Sequence, residues 1–493
     1  MSAAIALAPA RALLAPRRAL LWGVALAVAA LVLRINAASR SLWLDEAISV
    51  YQVDRPIRDL LLAQVNGFHP PLYHLQLHYW IAAFGESPLA LRALSMAWSL
   101  VAVAALAAWS REAFPELSPV PAALLAAVGP FAVWYGSEAR MYAQLLALSA
   151  LAGWLAWRLL GRGVRPARLA GLALTLAALA YTHYFGMLFV ITLAGVALTA
   201  AVASPLRTRA LAVLAGLGIA LTAVAPWLVY VAMHRHAAGV GPEYPAPDLF
   251  SVLIAALEML VGFHSPVALG ALAAGWPALC LLAMALLPRM RRVHWRVSGL
   301  FALTAVPPLL LVVASALARN VFDPRYLTVS VAPLYILLGA LWQAVPAGRW
   351  RRAGGAALVA LACAVSVVEV TDAGNPKLYQ LREAMAAVRA DTAPGDALVL
   401  APDFQRKPVV HYYGAPAGVR VIPAIEPAGT WRAARGAQRV ALVSEFDDAA
   451  LAGTTEGPEA FRRYFAAHGR LVAKHTYAHT TVRIYQPREA SER

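Results

Sequence analysis

Two carboxylates stand side by side in Ser41-Leu42-Trp43-Leu44-Asp45-Glu46, just beyond a long apolar run. Keeping such groups ionised at a membrane face is costly, which marks them as functional candidates. A carboxylate placed there suits a general base that draws a proton from a hydroxyl or an amine. Adjacent residues point in different directions on a helix or a strand, so one of the pair can act as base while the other binds or orients a partner. Downstream comes His69-Pro70-Pro71-Leu72-Tyr73-His74, where two prolines stiffen the entry into a helix and offer His69, Tyr73 and His74 as polar groups. No His-Glu-x-x-His pattern accompanies them, so spacing alone defines no metal site. Headgroup-level His and Tyr are the plainer explanation. Two further segments, Glu138-Ala139-Arg140-Met141-Tyr142 and Asp323-Pro324-Arg325-Tyr326, each open an apolar stretch with an arginine, and His183 closes another. Arginine presents a planar fork of donors matched to phosphate oxygens. Local ion pairs are the competing explanation: Glu138 with Arg140, Asp323 with Arg325, and the Asp45-Glu46 pair with Arg40.

The elements that must carry these residues are membrane spans. Of the 493 residues, 61% are hydrophobic and 14% charged, against about 25% charged in an ordinary soluble protein. Apolar stretches of bilayer-crossing length predict about eleven spans, near 18–37, 88–108, 119–135, 142–160, 168–184, 186–203, 210–232, 267–287, 297–318, 327–345 and 355–371. Tyr181-Thr182-His183-Tyr184 has to supply the turn between the fifth and sixth. The first outer loop is residues 38–87, and Ile57, Leu60, Leu61, Ala63 and Val65 space an amphipathic helix within 54–68. A second outer segment, His234 to Pro266, carries Pro242, Pro245 and Pro247, which argue against a regular helix at its centre.

The net charge of +16 might signal a nucleic-acid partner, but its distribution says otherwise. Up to residue 371 the basic residues are all arginine, concentrated in alternate loops such as the one holding Arg289, Arg291, Arg292 and Arg296. By the positive-inside rule those loops and the N-terminus are cytoplasmic. The acidic and histidine clusters then share the outer face, and the basicity is an orientation signal with no nucleic acid implied. Cys280 and Cys363 both fall within expected spans, so no disulfide framework is indicated. Arg17-Arg18 before the first apolar run, with Arg34 inside it, fits an uncleaved signal anchor.

Beyond residue 371 the composition turns polar, and all three lysines of the chain lie there. Apolar runs at 397–400, 419–422 and 440–443 read as buried strands, with helical patterns near 378–391 and 457–468 and paired strands from Leu471 to Tyr485. The expectation is a transmembrane domain over 1–371 and a small extracytoplasmic α/β domain over 372–493. Glu445-Phe446-Asp447-Asp448 reads as a solvated turn after a strand.

Taken in order, Leu44-Asp45-Glu46, His69-Pro70-Pro71-Leu72-Tyr73 and Glu138-Ala139-Arg140-Met141-Tyr142 resemble the family 39-like glycosyltransferases of bacteria. These are relatives of the protein O-mannosyltransferases and of the transferase that adds aminoarabinose to lipid A. The resemblance is strongest over about 35–235, with an echo at Phe322-Asp323-Pro324-Arg325-Tyr326. It implies the polytopic C-type glycosyltransferase fold in a bacterial inner membrane. It also implies a polyprenyl-phosphate sugar donor and an acceptor outside the cytoplasm, whether protein, lipid or envelope polysaccharide. The essential acidic residue of the first outer loop carries over to Asp45, with Glu46 as its partner, and the Pro-Pro-Leu-Tyr segment with His69 and Tyr73 shapes the site. The lipid A enzyme lacks His before Pro-Pro-Leu-Tyr, which leaves the role of His69 open. A divalent metal serves some relatives and not others. A transporter or lipid flippase is the competing class, and it calls for polar groups at midplane and broken helices.

Overall fold

The computed structural model describes residues 16–66, 69–203, 206–234, 247–264, 294–317, 322–372, 374–375, 377–445 and 457–488. Helix α1 (Pro16–Ala37) is followed by three short helices in the first outer loop: α2 (Leu44–Val53), α3 (Ile57–Asn66) and α4 (Leu72–Phe84). The apolar bundle continues through α5 (Pro88–Ala113), α6 (Val120–Val128), α7 (Pro130–Gly136), α8 (Tyr142–Arg162), α9 (Pro166–Thr182), α10 (Gly186–Ala203) and α11 (Arg207–His234). It ends with α12 (Leu249–Val261), α13 (His294–Leu317), α14 (Thr328–Ala344) and α15 (Arg349–Glu369). Among the described residues seven helices are long and apolar enough to cross a bilayer, which makes this a multi-pass membrane protein.

The expected eleven spans differ from this in three places. Those near 168–184 and 186–203 are shorter apolar helices, α9 and α10, joined by the turn at His183. The expected span 267–287 with Cys280, the prolines at 242 and 245, and Arg289, Arg291 and Arg292 lie outside the described residues. The span near 119–135 is broken into α6 and α7 at Gly129-Pro130, because Pro130 has no N–H to continue the ladder. The break leaves carbonyls needing donors in an apolar setting, and Arg34 of α1 supplies them. Its Nη1 donates to Ala127 O at 2.7 Å and its Nη2 to Ala126 O and Ala132 O at 3.0 Å each. Arg34, read from sequence as a feature of the anchor, thus plugs a helix break. In the outer segment, helix α12 forms after the prolines end, with Asp248 accepting from Ser251 N–H at 2.7 Å as its N-cap.

Helices α5 and α8 pack as the centre of the bundle. Gly153 leaves α8 without a side chain where Trp109 of α5 lies, and any Cβ there would overlap the indole. Trp109, Trp157 and Phe189 are all buried in this core. Pro88 opens α5 at a position where no N–H is needed, with Ser87 accepting from Ala90 N–H.

The polar tail folds as expected around a sheet, with two additional short helices that leave no periodic trace in sequence. In order it comprises α16 (Leu381–Asp391), β1 (Ala397–Ala401), α17 (Arg406–Tyr413), β2 (Arg420–Ile422), α18 (Pro427–Ala433), β3 (Val440–Glu445), α19 (Pro458–His468), β4 (Gly469–Tyr477) and β5 (Thr480–Pro487). The strand order is β2-β1-β3-β5-β4, with β1 parallel to β2 and β3, and β5 antiparallel to β3 and β4. One sheet face packs under Phe461, Phe465 and Trp431. The other face, with Leu398, Leu400, Ala441, Val443, Val482 and Ile484, buries Leu44 and packs against Ile48 of α2. The first outer loop is therefore a layer of the tail's own core, and burying these apolar side chains fixes where α2 starts.

Candidate functional site

Helix α2 begins at Leu44, so Asp45 and Glu46 sit in its first turn, where the helix dipole favours negative charge. Their environments are opposite. Glu46 is fully buried and accepts from Arg92 Nη2 at 2.6 Å, Arg92 Nε at 2.8 Å, Ala139 N–H at 2.8 Å and Trp43 N–H at 3.2 Å. Burial alone would raise its pKa, but the Arg92 charge and these donors hold it below the ordinary carboxylate range. Arg92 spends its remaining donors on Ala38 O, Arg40 O and Ser41 O at 2.6, 2.7 and 3.0 Å. This pair ties the segment leading into α2 to α5 and to the loop before α8.

Asp45 instead is 24% exposed, with its Oδ2 at 3.0 Å from Arg325 Nη1 and 3.6 Å from Arg140 Nη2. Arg140 Nη1 also donates to Ser49 Oγ at 2.8 Å and Asp45 O at 3.2 Å, and its Nη2 donates to His69 Nε2 at 2.9 Å. His69 is therefore the neutral tautomer with its proton on Nδ1. Arg325 is held from behind by Asp323 at 3.1 Å, and Asp323 by Lys377 of the tail at 3.1 Å. Burial would raise the Asp323 carboxyl, but Arg325 and Lys377 hold it far below its ordinary range.

Around the two arginines runs a shell of rings. His69 lies 5.0 Å from His183 and 6.3 Å from His74 between ring centroids. His183 in turn lies 5.3 Å from Tyr326 and 6.0 Å from Tyr142. Burial, and then the Arg140 charge, push His74 and His183 down to about 3 and His69 well below its ordinary value. The positive charge facing Asp45 thus comes from the two arginines and not from these histidines. Tyr73 donates to Ser95 Oγ at 3.3 Å, and Ser95 donates on to Arg140 O at 3.0 Å, so this tyrosine braces the Arg140 backbone.

The structure brings Asp45, His69, His74, Arg140, Tyr142, His183, Arg325 and Tyr326 together, with Tyr73 behind them. Glu138 turns away. Its Oε1 accepts from Trp134 Nε1 at 2.7 Å and lies 3.8 Å from Arg40, and burial raises the carboxyl to about 7. The local pairs weighed from sequence resolve differently in each case. Asp323 does bind Arg325, but Asp45 shares it; Glu138 pairs with Arg40 and leaves Arg140 to Asp45; neither Asp45 nor Glu46 takes Arg40 as its direct partner. Glu445 was expected to be solvated, yet it is fully buried at the end of β3 on the face toward α2, because its alternation follows Ala441 and Val443 into the core. The rest of that motif, residues 446–448, lies outside the described residues. Sequence reasoning missed Arg92 and Lys377 and misread Glu445. A lone arginine inside an apolar span was a usable signal for Arg92.

As for a metal, no group of three or more His, Cys, Asp or Glu among the described residues could hold one. The lone pair of His69 Nε2 and the Oδ2 of Asp45 already face guanidinium groups, so the donor set does not fit a cation as it stands.

Comparison with known proteins places this geometry in a known architecture. The crystal structure of ArnT from Cupriavidus metallidurans in the apo state aligns with a TM-score of 0.58 at 13% identity, covering 94% of this chain and 98% of that one. The same protein bound to undecaprenyl phosphate aligns at 0.56 and 13% identity, covering 95% and 98%. The expected polytopic C-type glycosyltransferase fold is therefore the fold of this chain. No family model matches the sequence, and no curated protein does.

Proposed function

We propose that this protein transfers a sugar from a polyprenyl-phosphate donor to an acceptor outside the cytoplasm. The observation that carries the reading is the partly exposed Asp45 held between Arg140 and Arg325, in a fold shared with a protein crystallised with undecaprenyl phosphate. A lipid-linked donor reconciles an outward-facing site with a sugar activated inside, since its tail rests among the helices while its phosphate reaches the surface.

In this mechanism the phosphate accepts from Arg140 and Arg325, whose fixed donors are aimed where charge grows as the bond between the anomeric carbon and the phosphate oxygen breaks. Asp45, displaced from the arginines by the phosphate, takes the proton of the acceptor hydroxyl or amine as that atom bonds the anomeric carbon. The single displacement inverts the anomeric centre, and the lipid phosphate leaves with the electron pair. Glu46 is a positioning residue, since its oxygens are committed to Arg92 and backbone N–H groups. His69, neutral, orients Arg140, and Tyr73 braces it. The termini follow the arginine bias, with the N-terminus cytoplasmic and the tail outside. A transporter reading finds less support, because the break between α6 and α7 is filled by Arg34 rather than left open to a substrate.

The test is transfer from a panel of radiolabelled polyprenyl-phosphate sugars into native membrane extract by purified wild type and Asp45→Asn. Transfer by the wild type alone supports the reading. Equal transfer by a folded Asp45→Asn, or none by the wild type with any donor, overturns it.

A further inference from the structure

The seam between α2 and the tail sheet holds a set of buried polar groups without protein partners. Glu445 is fully buried, and neither carboxyl oxygen has a hydrogen-bond partner. Thr480 sits directly opposite it across β3 and β5, so the two side chains share a sheet face, and its Oγ1 is also buried and unpartnered. Gln405 follows β1 at the same end of the sheet, buried, with both amide atoms unpartnered. Trp43, which immediately precedes α2, buries an unpartnered Nε1 and stacks on Tyr379, whose ring lies 5.7 Å from that of His479.

Native proteins pair nearly all such groups, and each exception calls for an explanation. These lie at the carboxyl ends of neighbouring parallel strands β1 and β3, the edge at which open α/β sheets take ligands. The same edge faces Asp45, which adds to burial in raising the Glu445 carboxyl to about 8. Their chemistry is mixed: a carboxyl and an amide, a hydroxyl that gives and accepts, and an indole N–H beside a flat ring. No lysine or arginine is among them to hold a phosphate. Sugar hydroxyls, which both give and accept, fit this set.

Resting on the transferase reading above, we infer that Trp43, Gln405, Glu445 and Thr480 form a subsite for the hydroxyls of a neutral sugar, presented by the tail to Asp45. The groups are covered in the ligand-free protein, so occupancy parts the seam. It is tied before α2, where Tyr413 donates to Leu42 O at 2.8 Å and Arg382 N–H donates to Ser41 Oγ at 2.9 Å, and at the end of α2, where Asp54 lies 3.4 Å from His411 of α17. Near Asp45 it closes by the side-chain packing of Leu44 and Ile48.

Two sources could supply the hydroxyls, the acceptor or the sugar of the donor, and kinetics separate them. With the donor that the panel identifies, transfer into native envelope extract and donor hydrolysis by water are measured for wild type, Glu445→Met, Gln405→Met and the isosteric Glu445→Gln. Removing an unpartnered buried polar group leaves thermal stability unchanged or higher. The subsite predicts at the same time at least a tenfold rise in one half-saturating concentration for both Met variants, with Glu445→Gln within threefold of wild type. A rise in the extract concentration alone, with hydrolysis unchanged, names the acceptor; a rise in the donor concentration names the donor sugar. Unchanged half-saturation in both Met variants, or a loss of thermal stability that accounts for the change, overturns the subsite. Absence of any transfer by the wild type overturns the transferase reading itself, whatever the variants do.

Discussion

Asp45 neutralises the groups that the mechanism needs for phosphate, and removing its charge should separate binding from chemistry. At 3.0 Å from Arg325, the carboxylate is attracted by about 5 kcal/mol at an effective dielectric of about 20, and by about 1 kcal/mol in water. Arg140 at 3.6 Å contributes slightly less. A lipid phosphate that engages both guanidinium groups has to displace this carboxylate and then remain beside it. At a separation of roughly 6 Å, each unit of phosphate charge is repelled by about 1–3 kcal/mol over the same range of dielectric. Asp45→Asn removes that repulsion and frees both arginines, so undecaprenyl phosphate should bind about tenfold more tightly, a change of about 1.4 kcal/mol. Transfer should fall by about 10²–10⁴-fold, the usual contribution of a general base. Displacement of radiolabelled undecaprenyl phosphate from the purified protein measures the first, and initial rates from the matching sugar donor measure the second. Undecaprenol, lacking the phosphate, serves as the control and should show no difference between the proteins. If the variant binds the phosphate more weakly, Asp45 attracts it through some bridging group, and the charge argument fails. If transfer survives within threefold, Asp45 is not the base.

Three further outcomes follow from the same geometry. Arg92→Met leaves Glu46 charged in a fully buried position and the Ala38 and Ser41 carbonyls without a donor, which should cost about 3–5 kcal/mol. Thermal unfolding in detergent measures it, adding Glu46→Gln should recover part of the loss, and a change below about 0.5 kcal/mol would contradict the assignment. Glu445 has a folded-state pKa raised to about 8 from an ordinary 4.5, so the folded state holds a proton that the unfolded chain releases. Its contribution is then fully present below about 4.5, is lost progressively as pH rises toward about 8, and no longer changes above that. Hydrogen exchange of β3 should accelerate between pH 5 and 8 beyond the intrinsic pH effect in wild type, level off above pH 8, and show clearly less of this in Glu445→Gln. For orientation, a single cysteine at the exposed Lys474, with Cys280 and Cys363 replaced by serine, should react with a membrane-impermeant maleimide added outside intact cells. Labelling only after the membrane is opened would reverse the assigned topology.

What was legible in the sequence was whatever depends on local pattern. Apolar length gave most of the bundle, short apolar runs gave β1, β2 and β3 and the paired strands at the end of the chain, and the Asp-Glu, Pro-Pro and Arg motifs flagged residues that do converge, although they are far apart in the chain. The errors arise where a residue's partner is distant. Asp45 and Glu46 are neighbours of identical chemistry, and only the position of Arg92 on α5 and of Arg325 before α14 makes one a buried strut and the other an open carboxylate. Glu445 was misread because a short acidic run looks like a turn, whereas the strand's alternation continues one residue further and carries the carboxyl inward. Gly129-Pro130 was hidden inside a hydropathy window that averages over any break, yet Arg34, an otherwise inexplicable charge in the first span, was its visible counterpart. In each case the informative signal was a charge in an apolar context. Such a charge requires a partner, and asking which distant group could satisfy Arg34, Arg92 and Glu445 would have led to the helix break, to the buried strut and to the seam beside Asp45.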